Sequence, residues 1–486
     1  MARSRNSCRP PVPKRSVDPT RVVAAAEGSK LHSSEGSADV KWLFLLGLLG
    51  FTPWLATFLK ANPKYLPHTG FAIGILPFLL SGLNLMASPI SWPFWSGAVK
   101  GFDISLLDSI AIAVIYATKP ARTPLALKLS FAIYFTGCVV STLAGSSGLR
   151  MASIFYDWQV IRAALVYVAV TRACVTHPKV AVGILMGMGF GLGWQAVIAV
   201  HQHLGGKVQA GAWFGHQNLL GMASHFAIFP AAALLLAGYY NKQTLAIVAA
   251  GLMVGFAGGS RATIGLFAIG LVITLVLSMW RQGTGRKAAV AAALLATVVV
   301  TVPVLYTTAI ERRSSKTLED SNLERVLMRK TARMIIADYP LGIGPNRYVV
   351  VANTGGYSAR AGMAWNFANR SAPVHNTYYL VTAEMGWIGL IGLLGMFGSL
   401  LALGLSGMRS APPGLQGEML VGVTGTLIVI MAHSYYEWIT MYFHIHYLFA
   451  INVGLLIGLR QAAFAQKKKR SRPVRAPRAE LASSGA

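Results

Sequence analysis

Ala372-Pro373-Val374-His375-Asn376-Thr377-Tyr378-Tyr379 closes a long polar insertion and opens directly into an apolar run over 378–406. The insertion begins near Ala309 and is the one long break in the hydrophobic body of the chain. Outward in both directions the sequence reads as membrane. Hydrophobic residues are 54% of 486 and charged residues only 12%, against about 25% charged in a soluble domain. Apolar segments fall near 42–59, 71–89, 104–118, 125–145, 158–173, 180–200, 217–238, 243–258, 262–280, 287–308, 378–406, 418–436 and 441–459. Many approach or exceed the ~18 residues of a spanning helix, without the dyad alternation of a membrane barrel. The expected fold is an all-α polytopic membrane protein of about 12 transmembrane helices with one long outer-face loop. The segment 104–118, short and carrying Asp108, is expected to be interfacial or re-entrant.

The organisation expected is a disordered cytoplasmic tail over 1–40, a helix bundle over 41–308, a periplasmic loop over 309–377, C-terminal spans over 378–460 and a basic cytoplasmic tail over 461–486. Formal net charge is +27. Its concentration in Lys467-Lys468-Lys469-Arg470-Ser471-Arg472, beside the last span, points to anionic lipid headgroups and not to nucleic acid. With the C-tail inside, the basic connectors 172–179, 241–242, 281–287 and 408–409 are cytoplasmic, as the positive-inside rule asks. Three cysteines, two of them in or beside apolar spans and none in a CxxC pair, argue against a disulfide framework or a structural zinc site.

Four constellations then share the outer face. They are Trp213-Phe214-Gly215-His216-Gln217-Asn218, the short turn Gly258-Gly259-Ser260-Arg261, and Arg325, Arg329 and Arg333 ahead of Pro340-Leu341-Gly342-Ile343-Gly344-Pro345. The fourth is His375-Asn376, with Glu384-Met385-Gly386 beyond it. Within the loop, Ser321-Asn322-Leu323-Glu324 has the form of a capping box. Leu323, Val326, Leu327, Met334 and Ile335 supply an apolar face, and the arginines recur every fourth residue on another. An amphipathic helix along the membrane surface is expected.

These motifs, in this order, resemble the O-antigen ligase and polymerase family of bacterial envelope membrane proteins, most closely over residues 200–400. The resemblance implies an inner-membrane, metal-independent, inverting glycosyltransferase with no cofactor. It would move a saccharide from an undecaprenyl diphosphate carrier to an acceptor hydroxyl on a glycan or a lipid A-core, in lipopolysaccharide or exopolysaccharide synthesis. Carried over by position, Arg261 grips diphosphate, and His375 is the general base or orients the acceptor. Arg329 and Arg325 are further diphosphate ligands. His216, Asn218, Asn376 and Glu384 bind substrate or serve the structure. The family's Arg ahead of the Phe-Gly step is missing: Gln209 stands there, so Lys207 would have to substitute. Physical chemistry is consistent with this set, because guanidinium forks bind phosphate and stay charged, and an imidazole can take a hydroxyl proton near neutral pH. The competing class is a transporter or flippase for a solute or a lipid-linked sugar, which discontinuous helices and midplane charges would favour.

Overall fold

The computed structural model describes residues 35–293, 316–365, 370–438 and 441–470; side chains at 35–39, 316–322 and 468–470 are not described. By their contacts Met1–Gly47 and Leu48–Ala486 separate into two units. Of the first, only the opening of the helix α1 (Glu35–Ala61) is described, and the other described helices all belong to the second. The expected tail over 1–34, the residues 294–308 of the tenth apolar segment, and the end of the basic tail past Arg470 lie outside the described residues.

The protein is helical, and among the described residues nine helices are long and apolar enough to cross a membrane. In chain order the helices after α1 are α2 (Leu66–Leu79), α3 (Leu106–Ala117), α4 (Leu125–Ala144), α5 (Arg150–Thr176), α6 (Val180–Leu204), α7 (Gln217–Ala237), α8 (Asn241–Gly258) and α9 (Arg261–Arg281). Then come α10 (Lys316–Asp338), α11 (Tyr348–Thr354), α12 (Tyr357–Arg360), α13 (Thr377–Ser410), α14 (Leu415–Tyr436) and α15 (Phe443–Arg470). The closest pairs are α2 with α6, α4 with α13, α5 with α15 and α7 with α14. Small residues make the approach possible: a Cβ at Gly74 would run into the Ile184 carbonyl, and one at Gly392 into the Tyr134 backbone.

Two apolar segments differ from a plain span. The run 71–89 is helical only to Leu79. Pro77 lies in its last turn, and Asn84 takes a left-handed φ of 51°. The chain then wanders to Ser105 through a short antiparallel pair, Met86–Ala87 with Ile104–Ser105, because Pro89 and Pro93 cannot continue a helix. The segment 104–118 becomes α3, whose 12 residues reach about 18 Å at ~1.5 Å per residue, short of a ~30 Å core. Its Asp108 closes a capping box with Ser105, accepts from Arg162 Nε at 2.9 Å and from the Tyr447 hydroxyl at 2.6 Å. The buried carboxylate is thereby paired and fully engaged.

The polar insertion holds α10, but the helix already runs from Lys316, so Ser321 is an interior residue and not its N-cap. Its buried face is also shifted. Met328, Thr331, Ala332 and Ile335 are buried, while Leu323 and Val326 are exposed. The helix packs its C-terminal half onto α13 and α12, and only that half has a core to cover.

Candidate active site

α13 starts at a fixed point. Asn376 is its N-cap, taking the Tyr379 N–H on Oδ1 at 3.0 Å and donating from Nδ2 to the Tyr435 carbonyl at 2.8 Å. The second bond ties the start of α13 to the end of α14. Thr377 completes the tie, donating from its N–H and its hydroxyl to the Glu437 carbonyl at 3.0 and 2.8 Å. His375, one residue before the cap, is thus held beside Glu437, one residue past α14.

Glu437 is the meeting point of the motifs. Its side chain is 1% exposed. Oε2 faces His375 Nδ1 at 3.0 Å; Oε1 accepts from Asn218 Nδ2 at 2.7 Å and lies 3.5 Å from Arg325 Nη2. Burial works to raise this carboxyl, but the His375 hydrogen bond and the neighbouring His375, His433 and Arg325 side chains outweigh it and hold the group below the ordinary carboxylate range. A carboxylate there can only accept, so Nδ1 is the His375 nitrogen that donates to it, and Nε2 has no hydrogen-bond partner among the described residues. The imidazole is 21% exposed, enough to meet a substrate. Glu437 belongs to none of the four motifs read from the sequence. The only signal for it was a carboxylate in a chain with 16 acidic residues against 43 basic ones.

His216 caps α7, its Nδ1 accepting the Asn218 N–H at 3.2 Å. Capping by the imidazole releases the Asn218 side chain for Glu437. His216 is close enough to Glu437 and His375 to feel both charges. The loop behind it leans on the Arg261 turn: the Ala210 N–H donates to the Ala257 carbonyl at 3.2 Å, and a Cβ on Gly259, at φ 60°, would lie 3.4 Å from the Val208 carbonyl. Ser260 caps α9 through the Thr263 N–H. Arg261, the first residue of that helix, is exposed and has no hydrogen bond or ion pair among the described residues. Lys207, also exposed, is equally free, while Gln209 is held by Gln217 at 3.0 Å.

The arginine stripe of α10 divides. Arg325 reaches Glu437; Arg333 donates to the Tyr379 hydroxyl at 3.0 and 3.1 Å and lies over its ring. Arg329, half-buried between them, has no partner among the described residues. Glu384 and Arg347 belong to a different structure. The Gly342–Gly344 turn docks on a kink of α13 at Gly386, φ 65°, with the Ile343 and Gly344 N–H groups donating to the carbonyls of Ala383 and Glu384. Buried Glu384 accepts the Tyr348 N–H at 2.8 Å. Arg347, wholly buried, donates to the carbonyls of Ser146, Ile343 and Thr142. Of the other histidines, His444 meets Ser81 and His446 meets Gln159. Among the described residues no group of three or more His, Cys, Asp or Glu could hold a metal ion.

Residues 245–394 match a family model described as O-antigen ligase, and no curated protein matches the chain. The matched stretch contains Arg261, Arg325, Arg329, His375 and Glu384 and stops short of Glu437. The chain is therefore a polytopic membrane protein whose residues 245–394 are similar to the O-antigen ligase family.

Proposed function

We propose that the protein transfers a saccharide from an undecaprenyl diphosphate to an acceptor hydroxyl at the outer, periplasmic face of the bacterial inner membrane, as a ligase or as a polymerase. The observation that carries the reading is the buried Glu437 carboxylate, which joins His375, Arg325 and Asn218 from three separate motifs. The acceptor O–H gives its proton to His375 Nε2 as its oxygen attacks the anomeric carbon from the face opposite the diphosphate. The anomeric C–O bond breaks, its electron pair leaves with the diphosphate, and the configuration inverts. Glu437 fixes the tautomer and offsets the imidazolium that forms. Negative charge growing on the leaving diphosphate falls to Arg261 and Arg329, the two arginines left unpaired among the described residues of these motifs, with Arg325 and Lys207 beside them.

Arg261 has a further reason to be read this way. It stands at the N-terminus of α9, where the helix dipole disfavours a cation and welcomes an anion. An arginine held there without a protein partner is suited to a phosphate that supplies the missing charge. The deciding experiment gives the purified full chain an undecaprenyl-diphosphate glycan with candidate acceptors. Wild type should release free undecaprenyl diphosphate, while His375→Ala and Arg261→Ala should not. Equal turnover in all three would overturn the proposal, and vesicle transport without transfer would favour a transporter.

A further inference from the structure

A cavity of about 620 Å³ adjoins the His375–Glu437 pair and is used by none of the groups assigned to the transfer. It reaches the pair through Pro373 and Trp438, which lie two residues before His375 and one after Glu437. Its size is within the ~300–1,000 Å³ of small-molecule sites. Four indole or phenol rings line it, Trp95, Tyr348, Trp438 and Tyr442, with the Trp438 and Tyr442 centroids 5.0 Å apart. Its polar lining includes Lys100, Ser371 and Glu384. Glu384 Oε1 accepts the Tyr348 N–H and the backbone of Asn346 and Arg347 also lies beside the carboxyl, but by geometry the fully buried Oε2 has no hydrogen-bond partner among the described residues. Leaving one carboxylate oxygen unsatisfied in a buried position is costly, and a bound donor would repair it.

The wall is also built to hold its shape. Asn346, in a left-handed conformation at φ 65°, donates from Nδ2 to the carbonyls of Val99 and Ala152 at 2.7 and 3.0 Å and accepts the Val99 N–H on Oδ1 at 3.1 Å. Its carbonyl accepts Trp95 Nε1 at 3.1 Å. The irregular stretch between α2 and α3 is clamped onto the turn after α10, and Trp95 is fixed in the lining.

We infer that this cavity binds the acceptor as a saccharide, seating the sugar that bears the attacking hydroxyl. The inference rests on the proposed transfer at His375. A pyranose has an apolar C–H face that suits an aromatic ring, whose face carries partial negative charge, and a rim of hydroxyls that can donate to a carboxylate. An acyl chain would gain nothing from Glu384, Ser371 or Lys100. The second cavity offers the contrast: about 280 Å³ between helices, lined mainly by apolar groups such as Phe131, Leu393, Phe397 and Phe449, it suits hydrocarbon. Placing a sugar acceptor here favours a glycan end over the lipid portion of any acceptor.

The test needs no transfer. Saturation-transfer NMR on the full chain in amphipol would use cellobiose, lactose and chitobiose as probes, each also as its dodecyl glycoside. At least one free disaccharide should bind wild type, and bind about tenfold more weakly to Trp438→Ala and Glu384→Gln, the loss of one charged hydrogen bond or one ring contact. No binding by any free disaccharide, binding only through the dodecyl chain, or binding indifferent to Trp438→Ala would each overturn the inference. If Glu384→Gln fails to fold, the Trp438 variant decides. Transfer lost with binding intact would count against the proposed reaction alone; binding absent while transfer persists would count against this subsite alone.

Discussion

One helix carries two arginines of opposite kind. At the N-terminal end of α9, Arg261 is exposed with no partner among the described residues. At the C-terminal end, the Arg281 side chain is 4% exposed, donates to Glu418 at 2.6 Å and to the carbonyls of Met408 and Pro412 at 3.0 and 2.8 Å. Lys287 joins the same carboxylate at 3.1 Å. A cation at a helix C-terminus is favoured by the dipole, and one at the N-terminus is not. Arg281 is accounted for wholly by the protein, and Arg261 calls for something outside it. The same division separates the regions around them: both cations of the Glu418 cluster are committed to protein acceptors, whereas Arg261 and Arg329 in the outer-face motifs have no partner among the described residues.

This contrast can be broken by experiment. The largest effect is expected at His375, where loss of the base in His375→Ala should reduce turnover by about 10²–10⁴-fold with the thermal midpoint little changed; a stable enzyme of normal rate would remove His375 from the chemistry. Arg261→Ala should cost roughly 10²–10³-fold in turnover, again without unfolding, and Arg261→Lys should recover only part of it because the fork is lost. Arg281→Ala should do the reverse. Breaking the buried pair should destabilise by about 3–5 kcal/mol, read as a lower unfolding midpoint in detergent, while the rate per folded molecule holds. If Arg281→Ala lowered the rate at unchanged stability, the division between the two ends of α9 would fail.

Smaller effects sharpen the picture. Arg329→Ala should weaken donor binding about tenfold, and Arg333→Ala less, since Arg333 is already engaged by Tyr379; the order is checked by comparing KM for the lipid-linked donor. The pH response follows from the Glu437 carboxyl, which is held below its ordinary value. Its contribution to stability is complete above the unfolded value of about 4.3 and is lost as pH falls through the lower folded value. The midpoint gap between wild type and Glu437→Gln should therefore be constant near neutrality and close in acid. A gap that widened on acidification would contradict that sign.

The membrane class, most of the apolar helices and the motif order were legible in the residues, because hydropathy and spacing along one helix are local properties. So was the four-residue period of Arg325, Arg329 and Arg333. The resemblance of the motifs to the O-antigen ligase family brought forward Arg261 and His375. What only the tertiary structure decided is which of these groups meet. Glu437 lies 62 positions from His375 and 219 from Asn218, and no periodicity links them; they converge because α7, α13 and α14 each have one end at the site. Tertiary packing likewise turned Glu384 toward the Tyr348 N–H. A charge in a sequence shows only that a partner is needed. Which partner it finds, or that it is left for a substrate, depends on contacts between distant segments that local pattern does not encode.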